Sequence, residues 1–173
     1  MLIAILSTKR PVNDARRIAL IVEDDPRLQK AISKKLGRMD FSVLSAGHYD
    51  AAVRHLAASE RHVACVHVQL PARSGYELCE YIRRSQGRLR LPILVTSKYA
   101  SPSDLANAED AGGNAFLRRP FSMRQLANCI ESLLNASGGR AQPTRELQPL
   151  AWNPTFAAYV AHRRAERQVL SVA

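Results

Sequence analysis

Between residues 18 and 135, short apolar runs of strand character alternate with amphipathic helical stretches, and this alternation limits the possible folds more than any other feature. Strands separated by helical crossovers pair in parallel, and the helices then cover both faces of the sheet. The expected strands are residues 18–22, 41–45, 63–67, 93–96 and 115–117. Helix punctuation falls between them. Asp25 can cap a helix with Pro26 at its first position, followed by an apolar stripe of Leu28, Ala31, Ile32 and Leu36 that ends at Gly37. Ser74 to Glu77, Ser101 to Asp104 and Ser122 to Gln125 have capping-box spacing, with Asp the weaker fourth member. Gly112 is placed to close the fourth helix, and Leu126, Ile130 and Leu133 share one face of the last. Five βα units form a complete doubly wound α/β domain of the flavodoxin-like type.

With 173 residues and 46% hydrophobic content, the chain can bury one substantial core but hardly two. The expected organisation is an N-terminal extension at 1–16, the α/β domain at 17–135, a Gly/Ser/Pro-containing linker at 136–151 and a partly helical tail at 152–173. Cys65, Cys79 and Cys129 lie in apolar or helical stretches without C-x-x-C spacing, as expected of reduced, buried thiols in a cytoplasmic protein. The apolar run at 1–6 is too short for a signal core and is followed by Lys9 and Arg10, so neither export nor a membrane span is expected. Of the net charge of +10, residues 1–17 and 136–173 each carry +3. A basic tail can attract nucleic acid, but a solvated flexible tail accounts for the same charge.

In an open parallel sheet, ligands bind beyond the carboxyl ends of the strands, where the strand order reverses. Glu23, Asp24 and Asp25 follow the first strand, His67 ends the third, Ser97 follows the fourth and Arg119 the fifth. This set, with Ile-Val-Glu-Asp-Asp-Pro at 21–26, Val-Gln-Leu-Pro-Ala-Arg-Ser-Gly-Tyr-Glu-Leu at 68–78, Pro-Ile-Leu-Val-Thr-Ser at 92–97 and Ala-Gly-Gly-Asn-Ala-Phe-Leu-Arg-Arg-Pro-Phe at 111–121, resembles the receiver domain of two-component response regulators over residues 17–135. The resemblance implies that Glu23 and Asp24 occupy the position of the acidic Mg²⁺-holding pair, Ser97 that of the hydroxyl that meets the phosphoryl group, and Phe116 that of a switch aromatic. Two positions depart from the family pattern. His67 stands where the phosphate-accepting aspartate is expected, and Arg119 where a lysine contacts the phosphoryl oxygens. Arg119-Pro120 is where the family usually has a cis peptide, which proline permits.

The two departures change the charge of the site together. Three carboxylates and one lysine carry a formal −2 that invites a hard cation with oxygen ligands. Glu23 and Asp24 facing Arg119 and His67 sum to −1 with neutral imidazole and to zero with imidazolium. Magnesium binding is therefore disfavoured, no cofactor is expected, and a bidentate pair of Arg119 with Asp24 or Glu23 is anticipated. The two carboxylates are also expected to raise the pKa of His67. Four roles stay open for His67: a structural substitute, a pH-responsive group, a transition-metal ligand with Glu23 and Asp24, and a phosphohistidine acceptor. His48, His55, His62 and His162 lack partner spacing and read as surface residues.

The expected function is that of a non-enzymatic pseudo-receiver of bacterial-type phosphorelay signalling, acting through protein–protein interaction or homodimer formation at residues 101–135, the usual docking face of the family. One alternative is a DNA-binding transcriptional regulator, because residues 165–173 faintly resemble the opening of a helix-turn-helix effector domain. Another is a conventional receiver that uses Asp25 or Ser97 as acceptor. Hydrolytic and redox catalysis are not supported, since the chain has no nucleophile–base pair outside this site and no glycine-rich dinucleotide loop.

Overall fold

The computed structural model describes residues 16–58, 62–85 and 91–136. Ten elements alternate without interruption: β1 (Arg17–Val22), α1 (Pro26–Gly37), β2 (Phe41–Ala46), α2 (Tyr49–Ala58), β3 (Val63–His67), α3 (Gly75–Arg84), β4 (Ile93–Ser97), α4 (Pro102–Asp110), β5 (Ala115–Arg118) and α5 (Met123–Ala136). The sheet is wholly parallel, in the order β2-β1-β3-β4-β5. Each expected strand is present, β1 starting one residue earlier and β2, β4 and β5 ending one residue later than anticipated. The expected tail helix at 152–173 lies outside the described residues, as do residues 1–15 and 137–151.

Strand periodicity divides the interior into two layers. Leu20 and Val22 of β1 face one side, where they join Leu56 of α2, Leu78 and Ile82 of α3 and Leu105 of α4. Ala19 and Ile21 face the other, against Ile32 and Leu36 of α1 and Leu126, Ile130 and Leu133 of α5. The central strands β3 and β4 are buried along their whole length, so they read as continuous apolar runs rather than alternating ones. Each fully buried Leu, Ile or Phe here contributes roughly 1.5–3 kcal/mol relative to exposure.

The helix starts behave as their sequence dictates. The Asp25 carboxylate accepts from the Arg27 and Leu28 amides at 2.8 and 3.4 Å, with Pro26 at the first helical position. Capping boxes open α3 at Ser74 and Glu77 and α4 at Ser101 and Asp104, so aspartate proves sufficient as the fourth member. Ser122 and Gln125 exchange the same reciprocal bonds before α5, at 2.8 and 3.1 Å. Gly112, with φ of +88°, follows α4 in the left-handed region that glycine tolerates.

Candidate functional site

Strand register brings the expected site residues together. Val22, the last residue of β1, pairs with Val66, which sets Glu23 and Asp24 beside His67; His67 pairs with Thr96, and Ser97 with Arg118, which brings Arg119 to the same edge. The cluster stands at the carboxyl ends of β1 and β3, on either side of the point where the strand order reverses. Glu23, His67, Thr96 and Ser97 are buried there, while Asp24 stays exposed.

His67 is held by a partner that the sequence did not single out. Its Nδ1 lies 2.9 Å from the carbonyl oxygen of Thr96, which also accepts the Val68 amide at 2.9 Å. A carbonyl can only accept, so Nδ1 carries a proton, and in the neutral ring the lone pair is on Nε2. That nitrogen faces the Asp24 carboxylate, with Nε2 3.9 Å from Oδ1, beyond hydrogen-bond reach.

The raised His67 pKa expected from two neighbouring carboxylates is corrected. It is lowered, mainly because burial disfavours the imidazolium, and the charges of Arg119 and Lys98 oppose protonation further; the Thr96 hydrogen bond and Asp24 act the other way without prevailing. The sequence count of carboxylates overlooked desolvation, Lys98 and the fact that Arg119 has already claimed Glu23.

Arg119 pairs with Glu23 rather than Asp24, through Nη2 and Oε2. The same Nη2 donates to Thr96 Oγ1 at 3.3 Å, and buried Nε has no hydrogen-bond partner among the described residues. The expected bidentate fork is therefore replaced by a one-nitrogen contact. Glu23 Oε1 accepts the Asp25 amide at 3.1 Å, which fixes the carboxylate from its own loop. Its pKa is raised, burial outweighing that backbone bond and the arginine. The Arg119-Pro120 peptide is cis, as expected.

The other sequence candidates fall into place around this pair. The Ser97 hydroxyl oxygen accepts the Tyr99 amide at 3.1 Å and so ties the loop after β4. Phe116 is fully buried in the layer with Val95 and Leu105. Among the histidines read as surface residues, His48 and His62 are exposed, although His62 Nδ1 accepts the Ile18 amide at 3.0 Å; His55 is half-buried and within 3.2 Å of the Ser45 carbonyl; His162 lies outside the described residues. Beside Arg119 opens a cleft of about 400 Å³ lined by Asp25, Leu28, Lys98, Pro120 and Phe121. Glu23, Asp24 and His67 each offer one ligand atom, all within 4.8 Å of one another, a set that could hold a metal ion. No helix among the described residues is long and apolar enough to cross a membrane.

Sequence reasoning missed Arg83. From α3 it donates to the carbonyls of Gly112 and Leu91 and to Asn114 Oδ1, at 2.6–2.9 Å, and so braces the turn that feeds β5. Its one legible signal is its position beside buried Cys79 and Ile82 on an otherwise apolar helix face.

Comparison with known proteins gives the same fold and a family. The chain is 30% identical over 129 residues to the transcriptional regulatory protein GltR of Pseudomonas aeruginosa, covering 75% of this chain and 52% of GltR. It spans about half the length of the curated relatives it matches. The receiver domain of the sensor histidine kinase PA1611 from Pseudomonas aeruginosa, solved with a magnesium ion coordinated in its active-site cleft, superposes with a TM-score of 0.64 at 26% identity, covering 70% of this chain and 99% of that one. The chemotaxis response regulator CheY4 of Vibrio cholerae, at 21% identity, gives 0.66 and covers 69% and 99%. The family model described as the response regulator receiver domain matches residues 19–131, and with the order of strands and the polar edge they present, this chain belongs to that family, the receiver module of two-component signalling.

Proposed function

We propose that this receiver signals without aspartyl phosphorylation and acts as a pseudo-receiver whose output is protein–protein contact. The observation that carries the reading is the identity and setting of residue 67: a buried imidazole whose Nδ1 proton is committed to Thr96 and whose pKa burial lowers, standing where an acceptor carboxylate is expected. Arg119 supports it by neutralising Glu23, one of the two carboxylates that would hold Mg²⁺. The remaining donors are the His67 nitrogen and the exposed Asp24 carboxylate. They fit Mg²⁺ poorly, since that ion favours oxygen ligands in near-ideal octahedral geometry.

The rival acceptors are already engaged. Ser97 is fully buried with its oxygen on the Tyr99 amide, and the Asp25 carboxylate caps α1. For the docking face, residues 101–135 remain our assignment, supported by Tyr99, 64% exposed, at the rim of a hollow of about 440 Å³ that includes Ser101, Asp104 and Arg118.

The test is Mg²⁺ with beryllofluoride or acetyl phosphate on the wild-type chain, followed by NMR and intact-mass measurement. Neither reagent is expected to shift site resonances or add phosphate. A Mg²⁺-dependent beryllofluoride complex, or a phosphate mapped to Asp25, Ser97 or His67, overturns the reading. A second reading, a DNA-binding regulator, is favoured by GltR, whose name is that of a transcriptional regulator and of which this chain spans about half. Sequence-selective duplex binding with steep salt dependence that is lost on deletion of residues 136–173 would count for it, whereas unselective binding would show only contact by the basic tail.

A further inference from the structure

We propose that the side-chain cluster at the carboxyl ends of β1 and β3 is a site for a borderline divalent transition ion of the Zn²⁺ or Co²⁺ class, ligated by His67 Nε2, Asp24 and Glu23, with Arg119 as its built-in competitor. The proposal does not rest on the absence of phosphorylation. A nitrogen donor replacing an oxygen donor turns a set suited to a hard cation into one suited to an ion that accepts imidazole.

Three observations carry it. The first is orientation: His67 is 2% exposed, its Nδ1–H is given to a backbone carbonyl, and Nε2 has no hydrogen-bond partner among the described residues and points at Asp24. A ring N–H held by a carbonyl with the other nitrogen free is the arrangement that orients metal-binding histidines. The second is spacing. Zinc bonds of about 2.0–2.2 Å in tetrahedral geometry place ligand atoms about 3.4 Å apart. Nε2 and Asp24 Oδ1 stand at 3.9 Å, and the Asp24 side chain, 42% exposed, is free to close the difference and leaves the solvent side open for water.

The third is that Arg119 engages Glu23 through one nitrogen rather than a fork. Only Nη2 meets Glu23, its second bond to Thr96 is long at 3.3 Å, and Nε is unpartnered. The adjoining cleft, with Asp25 on its wall, can receive the guanidinium when a cation takes its place on Glu23. Binding would then move a side chain rooted at the end of β5, next to the face assigned to partner docking.

The experiment titrates the metal-free 173-residue chain with Co²⁺, read by its visible d–d bands, and with Zn²⁺ by calorimetry. The expected result is a site that millimolar Mg²⁺ does not displace. His67→Ala and the exposed-site variant Asp24→Asn should each weaken Co²⁺ binding about tenfold or more and alter the bands. Arg119→Met should tighten it by a similar factor. Co²⁺ affinity and spectrum unchanged in Asp24→Asn and Arg119→Met overturn the proposal, as does displacement by equimolar Mg²⁺. A beryllofluoride complex would defeat the phosphorylation-independent reading alone and leave the cobalt outcome to stand or fall separately.

Discussion

Replacing Arg119 by Met tests the site's electrostatics through stability. The side chains of Glu23 and Arg119 are 2% and 11% exposed, so the substitution removes one partner of a buried ion pair and leaves the other carboxylate in place. Such losses generally cost about 3–5 kcal/mol. Glu23 keeps the Asp25 amide, and its pKa is already raised by burial, so protonation offers a partial escape. The lower end, about 3 kcal/mol at pH 7.5, is therefore expected, which with a urea slope of about 1–3 kcal/mol per molar lowers the midpoint by about 1–3 M. A carboxyl whose folded pKa lies above its unfolded value of 4.5 costs stability at higher pH, and the cost fades as pH falls through the folded value toward 4.5. The gap between wild type and Arg119→Met should thus shrink between pH 7.5 and 4.5 in urea titrations followed by circular dichroism. A midpoint loss under about 0.3 M, or one that does not change with pH, refutes the reasoning.

Three more outcomes are expected. Because the folded pKa of His67 is below 6.5, its contribution to stability is present above that pH and is lost as pH falls from 6.5 through the folded value, with a slope of at most about 1.4 kcal/mol per pH unit. The difference between wild type and His67→Asn, measured by urea midpoints at several pH values, isolates it, and a difference that stays flat would contradict the neutral ring. Gly75→Ala places a methyl against the carbonyl oxygen of His67 and 2.9 Å from its carbonyl carbon, backbone that cannot turn aside, so a loss of about 2–4 kcal/mol in chemical denaturation is expected; an unchanged midpoint would show that α3 can shift. Arg83→Ala should cost about 2–4 kcal/mol by stranding the Gly112 and Leu91 carbonyls, and Arg83→Lys should recover less than half, since an ammonium cannot span three acceptors; full recovery would show that charge alone matters.

The features legible in the sequence are those set by local chemistry and periodicity. Asp25-Pro26, Ser74 with Glu77 and Ser101 with Asp104 announce helix starts because capping is decided within four residues. The strands were legible as apolar runs, and the missed terminal residues Ala46, Ser97 and Arg118 are ones whose small or polar side chains break the run although the backbone ladder continues. Site membership could be read from strand ends and the family resemblance. The protonation state of His67 could not, because the carbonyl that fixes its tautomer lies 29 residues away and the burial that lowers its pKa belongs to the assembled sheet. The choice of Glu23 by Arg119, across 96 residues, was hidden for the same reason.

The three buried thiols give the domain a set of internal clocks. Cys65 on β3 and Cys129 on α5 sit in one interior layer and Cys79 on α3 in the other, with burial pushing each thiol up to about 12. At neutral pH they form almost no thiolate while the fold is closed, so an alkylating reagent records only moments of opening. The order in which they react would show which layer loosens first and how either one answers to an occupant of the cleft.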